Sequence, residues 1–250
     1  MTEMIATRAA YGAALARLGD VNPGVVVLDA DLSASTRTAD FAKRHPERFI
    51  QMGIAEQDMI GTAAGLAASG KVAFASTFAV FASGRAFDQV RNAVCYSRLN
   101  VKICATHAGL TVGEDGASHQ SVEDIALMRA VPNMTVIVPS DAVQTAWAVN
   151  AAAAMDGPVY MRLGRAPVPV IYGEGQEFAI GKAHTMRMGS DVTIIACGIM
   201  VPRALAAAEA LSEEGISARV LDMHTVKPLD VDAVRAAADD TGAIVTAEEH

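Results

Sequence analysis

Short, uninterrupted apolar runs alternate with alanine-rich segments through most of this chain. The run at residues 25–28 has no polar member, which is typical of a strand that is covered on both faces. Strands are predicted at residues 25–28, 48–52, 72–75, 101–106, 135–138 and 158–163, and helices at residues 7–18, 58–69, 78–97, 122–130 and 142–155. Strands that alternate with helices predict the α/β class, with a parallel sheet and helices on both sides.

The sequence changes character after residue 163. Residues 164–181 hold Pro167, Pro169 and several glycines without a strong period, which indicates a linker. A second βα unit follows, with strands predicted at residues 192–196, 218–221 and 243–246 and helices at residues 201–211 and 231–238. We therefore predict one domain over residues 1–165, a linker over 166–182 and a second α/β domain over 183–250. Because the chain stops directly after a strand, the second domain is expected to be cut short.

Composition argues against several classes of function. The net charge of −8 argues against a nucleic-acid partner or an anionic membrane surface. Cys95, Cys104 and Cys197 lie far apart and form no CxxC pair, so neither a disulfide framework nor a zinc knuckle is expected. No apolar run reaches membrane-spanning length, and the start of the chain lacks a signal-peptide core, so we expect a cytoplasmic protein.

Polar side chains that could carry chemistry follow several of the predicted strands. Singly, each is more often structural, as a turn residue, a helix cap or the partner of a surface charge. Because the carboxyl ends of parallel strands open on one edge of a sheet, together they predict a site at that edge. The set comprises Asp31 and Ser35, Glu56, His107 with Asp115 and His119, and Arg162. A zinc site around Cys104 is not expected, because that residue lies inside an apolar strand and no second pair has ligand spacing.

The stretch from Gly53 to Gln57 predicts a tight loop leading into a helix, with Glu56 at or just inside the helix start. A first-turn carboxylate stabilised by the helix dipole is the ordinary account of such a residue. The following helix consists almost wholly of Ala, Gly, Ile, Leu, Met and Thr, so it is predicted to be buried. A carboxylate at a shielded helix start has a raised proton affinity unless a cation or donor compensates, which suits a group that exchanges a proton.

The sequence resembles transketolase in several motifs, in order along nearly the whole chain. They are IATRAAYG (residues 5–12), DAD (29–31), GIAEQ (53–57), STFAVF (76–81), RAFDQVR (85–91), GEDG (113–116) and DMHTVKPL (222–229). The resemblance covers the pyrimidine-binding domain and the start of the C-terminal domain of that family. The Gly-Asp-Gly magnesium motif of the family's diphosphate-binding domain does not occur in this sequence. The chain is therefore similar to the C-terminal subunit of a split, two-subunit transketolase.

The resemblance implies thiamine diphosphate as cofactor. Glu56 matches the family's catalytic acid, which hydrogen-bonds N1′ of the aminopyrimidine. Phe78 and Phe81 match residues that line the pocket around this ring, and Asp31 matches a residue near the thiamine across the dimer interface. The ligands of the diphosphate and its Mg²⁺ are expected on an N-terminal, diphosphate-binding partner subunit. The expected assembly is a homodimer or a heterotetramer.

The resemblance also implies a sugar-phosphate substrate, and a two-carbon ketol unit passing between a phosphorylated ketose and an aldose, as in pentose phosphate metabolism. Paired guanidinium groups suit a phosphate dianion. The matching residues are Arg8, Ser35, His107 and Arg162 for the sugar phosphate, Asp115 for a sugar hydroxyl, and His119 at a position where the family has His or Gln. His107 is also a candidate catalytic residue.

Two other functions stay open. One is a split thiamine enzyme similar to deoxyxylulose-phosphate synthase or a dehydrogenase β subunit, or one specialised for an unusual sugar phosphate. Thr106 and His107 before Ala108-Gly109 favour transketolase, because a sugar-phosphate contact lies there in that family. The other is a non-catalytic regulatory module, against which the retention of Glu56 and both phenylalanines argues.

Overall fold

A computed structural model describes residues 3–250 of the chain. In chain order its strands are β1 (Met4–Ala6), β2 (Val25–Asp29), β3 (Phe49–Gln51), β4 (Val72–Phe78), β5 (Val101–Thr106), β6 (Thr135–Ile137), β7 (Val159–Arg162), β8 (Pro167–Pro169), β9 (His184–Arg187), β10 (Val192–Ala196), β11 (Ala218–Asp222), β12 (Thr225–Lys227) and β13 (Ile244–Ala247). Its α-helices are α1 (Thr7–Val21), α2 (Ser33–Thr36), α3 (Ala39–Arg44), α4 (Glu56–Ala68), α5 (Phe87–Gln89), α6 (Asp124–Ala130), α7 (Ala142–Ala154), α8 (Met200–Glu213) and α9 (Val231–Thr241).

The larger sheet has seven strands in the order β12-β6-β7-β5-β4-β2-β3. Neighbouring strands in this sheet run parallel, except that β12 is antiparallel to β6. All five residues of β2 are buried, as its uninterrupted apolar run predicts. The predicted α/β class with a parallel sheet is confirmed.

Helices cover both faces of this sheet. On one face, α1, α3 and α7 contribute Tyr11, Leu15, Phe41 and Val149 to the core. On the other face, α4 and α6 contribute Met59, Ile60 and Met128. Parallel strands need such crossover helices, and the alanine-rich sequence lets the helices lie close to the sheet.

A second sheet has four strands in the order β13-β10-β11-β9. Strands β10, β11 and β13 are parallel, and β9 is antiparallel to β11. Helix α8 packs on this sheet through Val201, Ala204 and Ala208. None of the helices in the described part of the chain is long and apolar enough to cross a membrane.

The structure differs from the prediction in three local features. The predicted helix over 78–97 is irregular: β4 extends to Phe78, and π-helical turns at Phe81–Arg85 and Val90–Tyr96 flank the short α5. The predicted linker contains β8, which pairs with β1, and β12 crosses from the predicted second domain to the edge of the larger sheet. Strands of three residues are too short to show a period, which is why the sequence does not reveal them.

Candidate functional site

Glu56 is the first residue of α4 and is only 2% exposed. The chain reaches it from β3 through Gly53, which has a positive φ of 71°, and through the exposed Ile54. At this position the carboxylate lies near the unpaired backbone N–H groups and the positive end of the helix dipole. The shielding expected for this acid is therefore observed.

Arg85 holds the carboxylate of Glu56. Its Nη1 donates to both carboxylate oxygens at 2.9 Å, and its guanidinium lies 4.3 Å from the centroid of the Phe81 ring. The side-chain amide of Gln57 donates to the backbone carbonyl of Arg85 at 3.0 Å, which fixes the end of the π-helical turn. The Arg85 side chain covers the carboxylate of Glu56, which is 2% exposed, while 48% of the Arg85 side chain itself faces solvent.

Four rings cluster beside this pair. Phe78 stacks on His107 with 3.8 Å between ring centroids and on Phe81 with 5.9 Å. The edge of the His119 ring packs against both phenylalanines, with ring centroids 6.0 Å apart for Phe78 and 5.5 Å apart for Phe81. The cluster forms a rigid aromatic wall next to a shielded acid.

His107 follows β5 in a left-handed conformation with φ of 58°. Its Nε2 lies 3.1 Å from Nη1 of Arg8, and its Nδ1 lies 2.9 Å from Oγ1 of Thr106. Since a guanidinium can only donate, Nε2 accepts from Arg8, and Nδ1 carries the proton and donates to Thr106. Burial, with the charge of Arg8, lowers the pKa of His107 to about 4. The imidazole is therefore neutral at neutral pH.

The lowered pKa of His107 gives an expected dependence of stability on pH. As the pH falls below 6.5, the unfolded chain binds a proton at this residue, whereas the folded protein binds it only near pH 4. The free energy of unfolding should fall over this window, by up to about 3 kcal/mol for this residue. In denaturant titrations from pH 7.5 to 4.5, His107→Gln should show a shallower decline than the wild type. Equal slopes for the two proteins would contradict the assignment.

Three arginines surround an open cavity of about 420 Å³ next to His107. Arg8, Arg37 and Arg165 line it together with Thr111 and Glu114. Burial, with the charges of Arg165 and Arg37, lowers the pKa of Arg8. Arg8 also donates to the backbone carbonyl of Ser35 at 2.9 Å, which ties the first turn of α1 to α2. Such a concentration of guanidinium groups suits an anionic ligand.

The loop over residues 108–120 brings Asp115 and His119 to the same place. Oδ2 of Asp115 lies 4.0 Å from Nε2 of His107 and 3.8 Å from Nε of Arg165. Asp115 thus lies between the aromatic wall and the cavity. Its carboxylate can accept a hydrogen bond from a hydroxyl of a ligand that contacts both the wall and the cavity.

Comparison with known proteins identifies the family. Residues 3–170 match the family model of the transketolase pyrimidine-binding domain, and residues 181–250 match that of the transketolase C-terminal domain. The chain belongs to the transketolase family.

Individual relatives agree with this assignment. The chain is 54% identical over 245 residues to a Methanocaldococcus jannaschii protein described provisionally as a transketolase C-terminal section, spanning 97% of this chain and 77% of that one. It is 50% identical over 224 residues to the 6-deoxy-6-sulfo-D-fructose transketolase subunit SqwH of Clostridium sp., spanning 90% and 70%. The solved structure of a split gene transketolase, an inactive beta4 tetramer, has a TM-score of 0.92 and 58% identity, over 99% of this chain and 81% of that one.

Arg162 is the one predicted substrate residue that this transketolase fold places elsewhere. It is buried at the end of β7, where Nε donates to Oδ2 of Asp124 at 3.0 Å and Nη1 donates to Oε1 of Glu249 at 3.0 Å. Burial alone would lower the pKa of Arg162, but the two carboxylates outweigh it and raise the pKa. The guanidinium is enclosed and paired with two carboxylates, so the structure does not bring Arg162 to the cavity, and its role as a phosphate contact stays a prediction. Arg165 reaches the cavity instead.

Asp31 lies in the loop after β2, and Ser35 lies in the short helix α2 that follows this loop. Asp31 is exposed, has a positive φ of 63°, and donates its backbone N–H to the side chain of Gln51 at 2.8 Å. It lies at the same edge of the sheet as Glu56 but outside the aromatic cluster. Ser35 contacts Arg8 through its backbone carbonyl.

Three arginines of the site were not singled out from the sequence. Arg85 lies in the motif RAFDQVR, so the family resemblance contained a signal for it. Arg165 comes three residues after Arg162. Arg162 is buried and Arg165 is partly exposed only because the strand ends between them, and the sequence does not mark that end. Arg37 lies in a polar stretch without a pattern that distinguishes it from a surface charge.

Proposed function

We propose that this chain supplies the aminopyrimidine half of a thiamine diphosphate site in a transketolase-type transferase. The enzyme transfers a two-carbon ketol unit between an anionic ketose, such as a ketose phosphate, and an aldose. The observation that carries the proposal is the shielded carboxylate of Glu56 at a helix start, joined through Arg85 to the Phe81 and Phe78 rings. An acid beside a flat aromatic wall fits a flat, basic, aromatic ring such as an aminopyrimidine.

Each group has a role in this proposal. When bound, thiamine diphosphate supplies the nucleophilic carbon and the electron sink for ketol transfer. Glu56 holds a proton at a carboxylate oxygen and shares it with a ring nitrogen of the pyrimidine. Phe78 and Phe81 stack against the ring and exclude water. His107 is neutral, so its Nε2, once released by Arg8, can accept a hydrogen bond from a substrate hydroxyl without adding charge.

A partner subunit completes the site in this proposal. The relatives in Methanocaldococcus and Clostridium are described as a C-terminal section and as a subunit, which supports a division of the enzyme between two chains. The diphosphate and Mg²⁺ would be held by that N-terminal partner, in a dimeric or heterotetrameric assembly. Within residues 3–250, no group of three or more His, Cys, Asp or Glu side chains could hold a metal ion.

The basic cavity sets the class of substrate. Arg8, Arg37 and Arg165 can bind the terminal anion of a sugar, and Asp115 is placed to accept from a sugar hydroxyl. Relatives act on different anionic sugars: one is a 6-deoxy-6-sulfo-D-fructose transketolase subunit and another is an apulose-4-phosphate transketolase subunit. Guanidinium groups bind phosphate and sulfonate oxygens alike, so the cavity is compatible with both.

Reconstitution tests the proposal. The purified chain is mixed with the diphosphate-binding subunit of a split transketolase, and ketol transfer is measured with ketose phosphate and ketose sulfonate donors. Transfer should require both chains, thiamine diphosphate and Mg²⁺, and calorimetry should show weak cofactor binding by this chain alone. Tight binding by the isolated chain would contradict the divided site. Condensation of pyruvate with an aldehyde, without ketol transfer, would favour the synthase-like alternative.

Arg165→Ala should raise the KM for an anionic donor by roughly 10- to 100-fold while changing kcat little, because a charge-assisted contact to a remote anion is lost in ground state and transition state alike. The KM for an uncharged ketose should stay within about twofold of the wild type. Arg203→Ala, on the exposed side of α8, is the matched control. An equal loss of kcat/KM for charged and uncharged donors would contradict the role of Arg165.

A further inference from the structure

The loop over residues 108–120, here called the substrate loop, is a closed surface loop. Its base is joined by a hydrogen bond from the backbone N–H of Gly109 to the carbonyl of Ser121 at 3.0 Å. Inside it, the side-chain amide of Gln120 donates to the carbonyl of Leu110 at 3.0 Å. The substrate loop carries Asp115 and His119. Its position therefore sets where an acceptor and an aromatic edge meet the candidate site.

Glu249, which follows β13 in the second domain, holds the beginning of the substrate loop. One carboxylate oxygen, Oε2, accepts from the hydroxyl of Thr111 at 2.8 Å and from its backbone N–H at 3.2 Å. The backbone carbonyl of Glu249 accepts from the N–H of Leu110 at 3.1 Å. Three hydrogen bonds from two successive loop residues thus end on a single buried residue of another domain.

Gly109 shows how close this approach is. A Cβ built at this position would lie 2.3 Å from Cδ of Glu249, and φ is 80°, a conformation that favours glycine. The loop backbone therefore lies directly against the carboxyl group. Any larger residue at position 109 would push the loop and Glu249 apart.

The other oxygen of Glu249 is fixed by the larger sheet. Oε1 accepts from Nη1 of Arg162 at 3.0 Å, and Arg162 is held in turn by Asp124 at the start of α6. Tyr160 donates its hydroxyl to the same carboxylate of Asp124 at 2.8 Å. A buried network of one guanidinium and two carboxylates thus fixes one oxygen of Glu249 while the other oxygen holds the loop.

We propose that Glu249 is a positioning residue through which the C-terminal domain sets the geometry of the substrate loop, and with it Asp115 and His119. The kinetic part of this inference rests on the proposed function. The mechanical part, that Glu249 orders residues 109–115, concerns the chain itself. A carboxylate is required because both its oxygens must accept, one from Arg162 and one from Thr111, whereas an amide can accept on only one side.

Glu249→Gln tests the inference with two measurements. Hydrogen exchange of the purified chain should be roughly tenfold faster in peptides that cover residues 109–115, because the N–H of Thr111 loses its acceptor. Peptides from β10 and β11 should be unchanged. In the reconstituted enzyme, the KM for the donor should rise on the order of tenfold with kcat reduced less. Exchange in the loop that stays at the wild-type rate would overturn the proposal, as would faster exchange confined to β10 and β11.

A second variant separates positioning from folding. Thr111→Val removes the hydroxyl that donates to Glu249 but keeps the backbone N–H contact and leaves Arg162 paired. It should therefore speed loop exchange, less than Glu249→Gln does, without lowering the unfolding midpoint. When Thr111→Val and Glu249→Gln are combined, their effects on the loop exchange rate should be non-additive. Fully additive effects would overturn the proposal. Glu248→Gln is the matched control, since Glu248 pairs with His250 and is exposed. If no subunit mixture transfers ketol units while Glu249→Gln still loosens the loop, the proposed function fails and the positioning role stands.

Discussion

Glu56→Gln is expected to lower kcat of the reconstituted enzyme by about 10²- to 10⁴-fold, the range for loss of a proton-transferring group. The substitution keeps size and shape but leaves an amide that cannot hold and share an acidic proton. Because Glu56 is shielded by Arg85 and lies at the N-terminus of α4, water cannot readily replace it. The loss should appear in kcat for every donor, charged or not, since the acid acts on the cofactor ring rather than on the substrate anion.

The matched control for this variant is Asp58→Asn, in the same first turn of α4 but exposed. It should retain activity within about twofold of the wild type and lose only the weak dipole interaction of a surface carboxylate. Both variants should keep the circular dichroism spectrum of the wild type. Near-normal turnover of Glu56→Gln in the presence of a competent partner subunit would remove the proton-sharing role from this residue.

The sequence contains enough to predict the fold and the position of the acid. Parallel strands with both faces covered are mostly apolar, so the run VVVL at residues 25–28 of β2 stands out, and β5 is apolar apart from Lys102 and Thr106. After its first three residues, helix α4 has almost no polar side chains, which is why Glu56 could be expected at a shielded helix start. The convergence of Glu56, His107 and the substrate loop follows from parallel topology alone, because strands β3 and β5 end at one edge.

The same property explains why the sequence does not reveal that Arg162 is enclosed. A strand that is buried on both faces has no alternation, so the sequence does not mark the residue at which it leaves the core. Arg162 is still inside β7 and enclosed, whereas Arg165 is three residues farther on and reaches the cavity. The partners of Arg162, Asp124 and Glu249, lie 38 and 87 residues away, and no local pattern predicts contacts at such separations.

The buried network around Arg162 joins parts of the chain that the sequence presents as separate. It connects β7, the first turn of α6 and Glu249, the second residue after β13, while β12 adds a strand of the second predicted domain to the first sheet. The C-terminal domain is therefore integrated with the candidate site through charge as well as through backbone pairing. A change deep in this network should affect the stability of both domains.

Arg162→Met is expected to destabilise the chain by about 3 to 5 kcal/mol, the cost of breaking a buried ion pair from one side. Methionine fills much of the volume but leaves the carboxylates of Asp124 and Glu249 buried without a cation. For a chain of this size the unfolding midpoint should fall by on the order of 10 °C. Thermal unfolding followed by circular dichroism at a fixed protein concentration measures the effect. Adding Asp124→Asn should restore part of the loss, because it removes one of the two uncompensated charges.

Arg165→Met is the matched control for this stability loss. It removes the same side chain three residues away, where Arg165 is partly exposed and pairs with the exposed Glu114 at 2.9 Å. A surface pair of this kind contributes about 0 to 1 kcal/mol, so its unfolding midpoint should move by only a few degrees. Substitutions at the two arginines should thus have different effects: loss of Arg162 lowers stability, and loss of Arg165 raises the KM for an anionic donor. If Arg162→Met left stability unchanged and raised that KM instead, Arg162 would bind the substrate anion after all, and the network would not be the structural core described above.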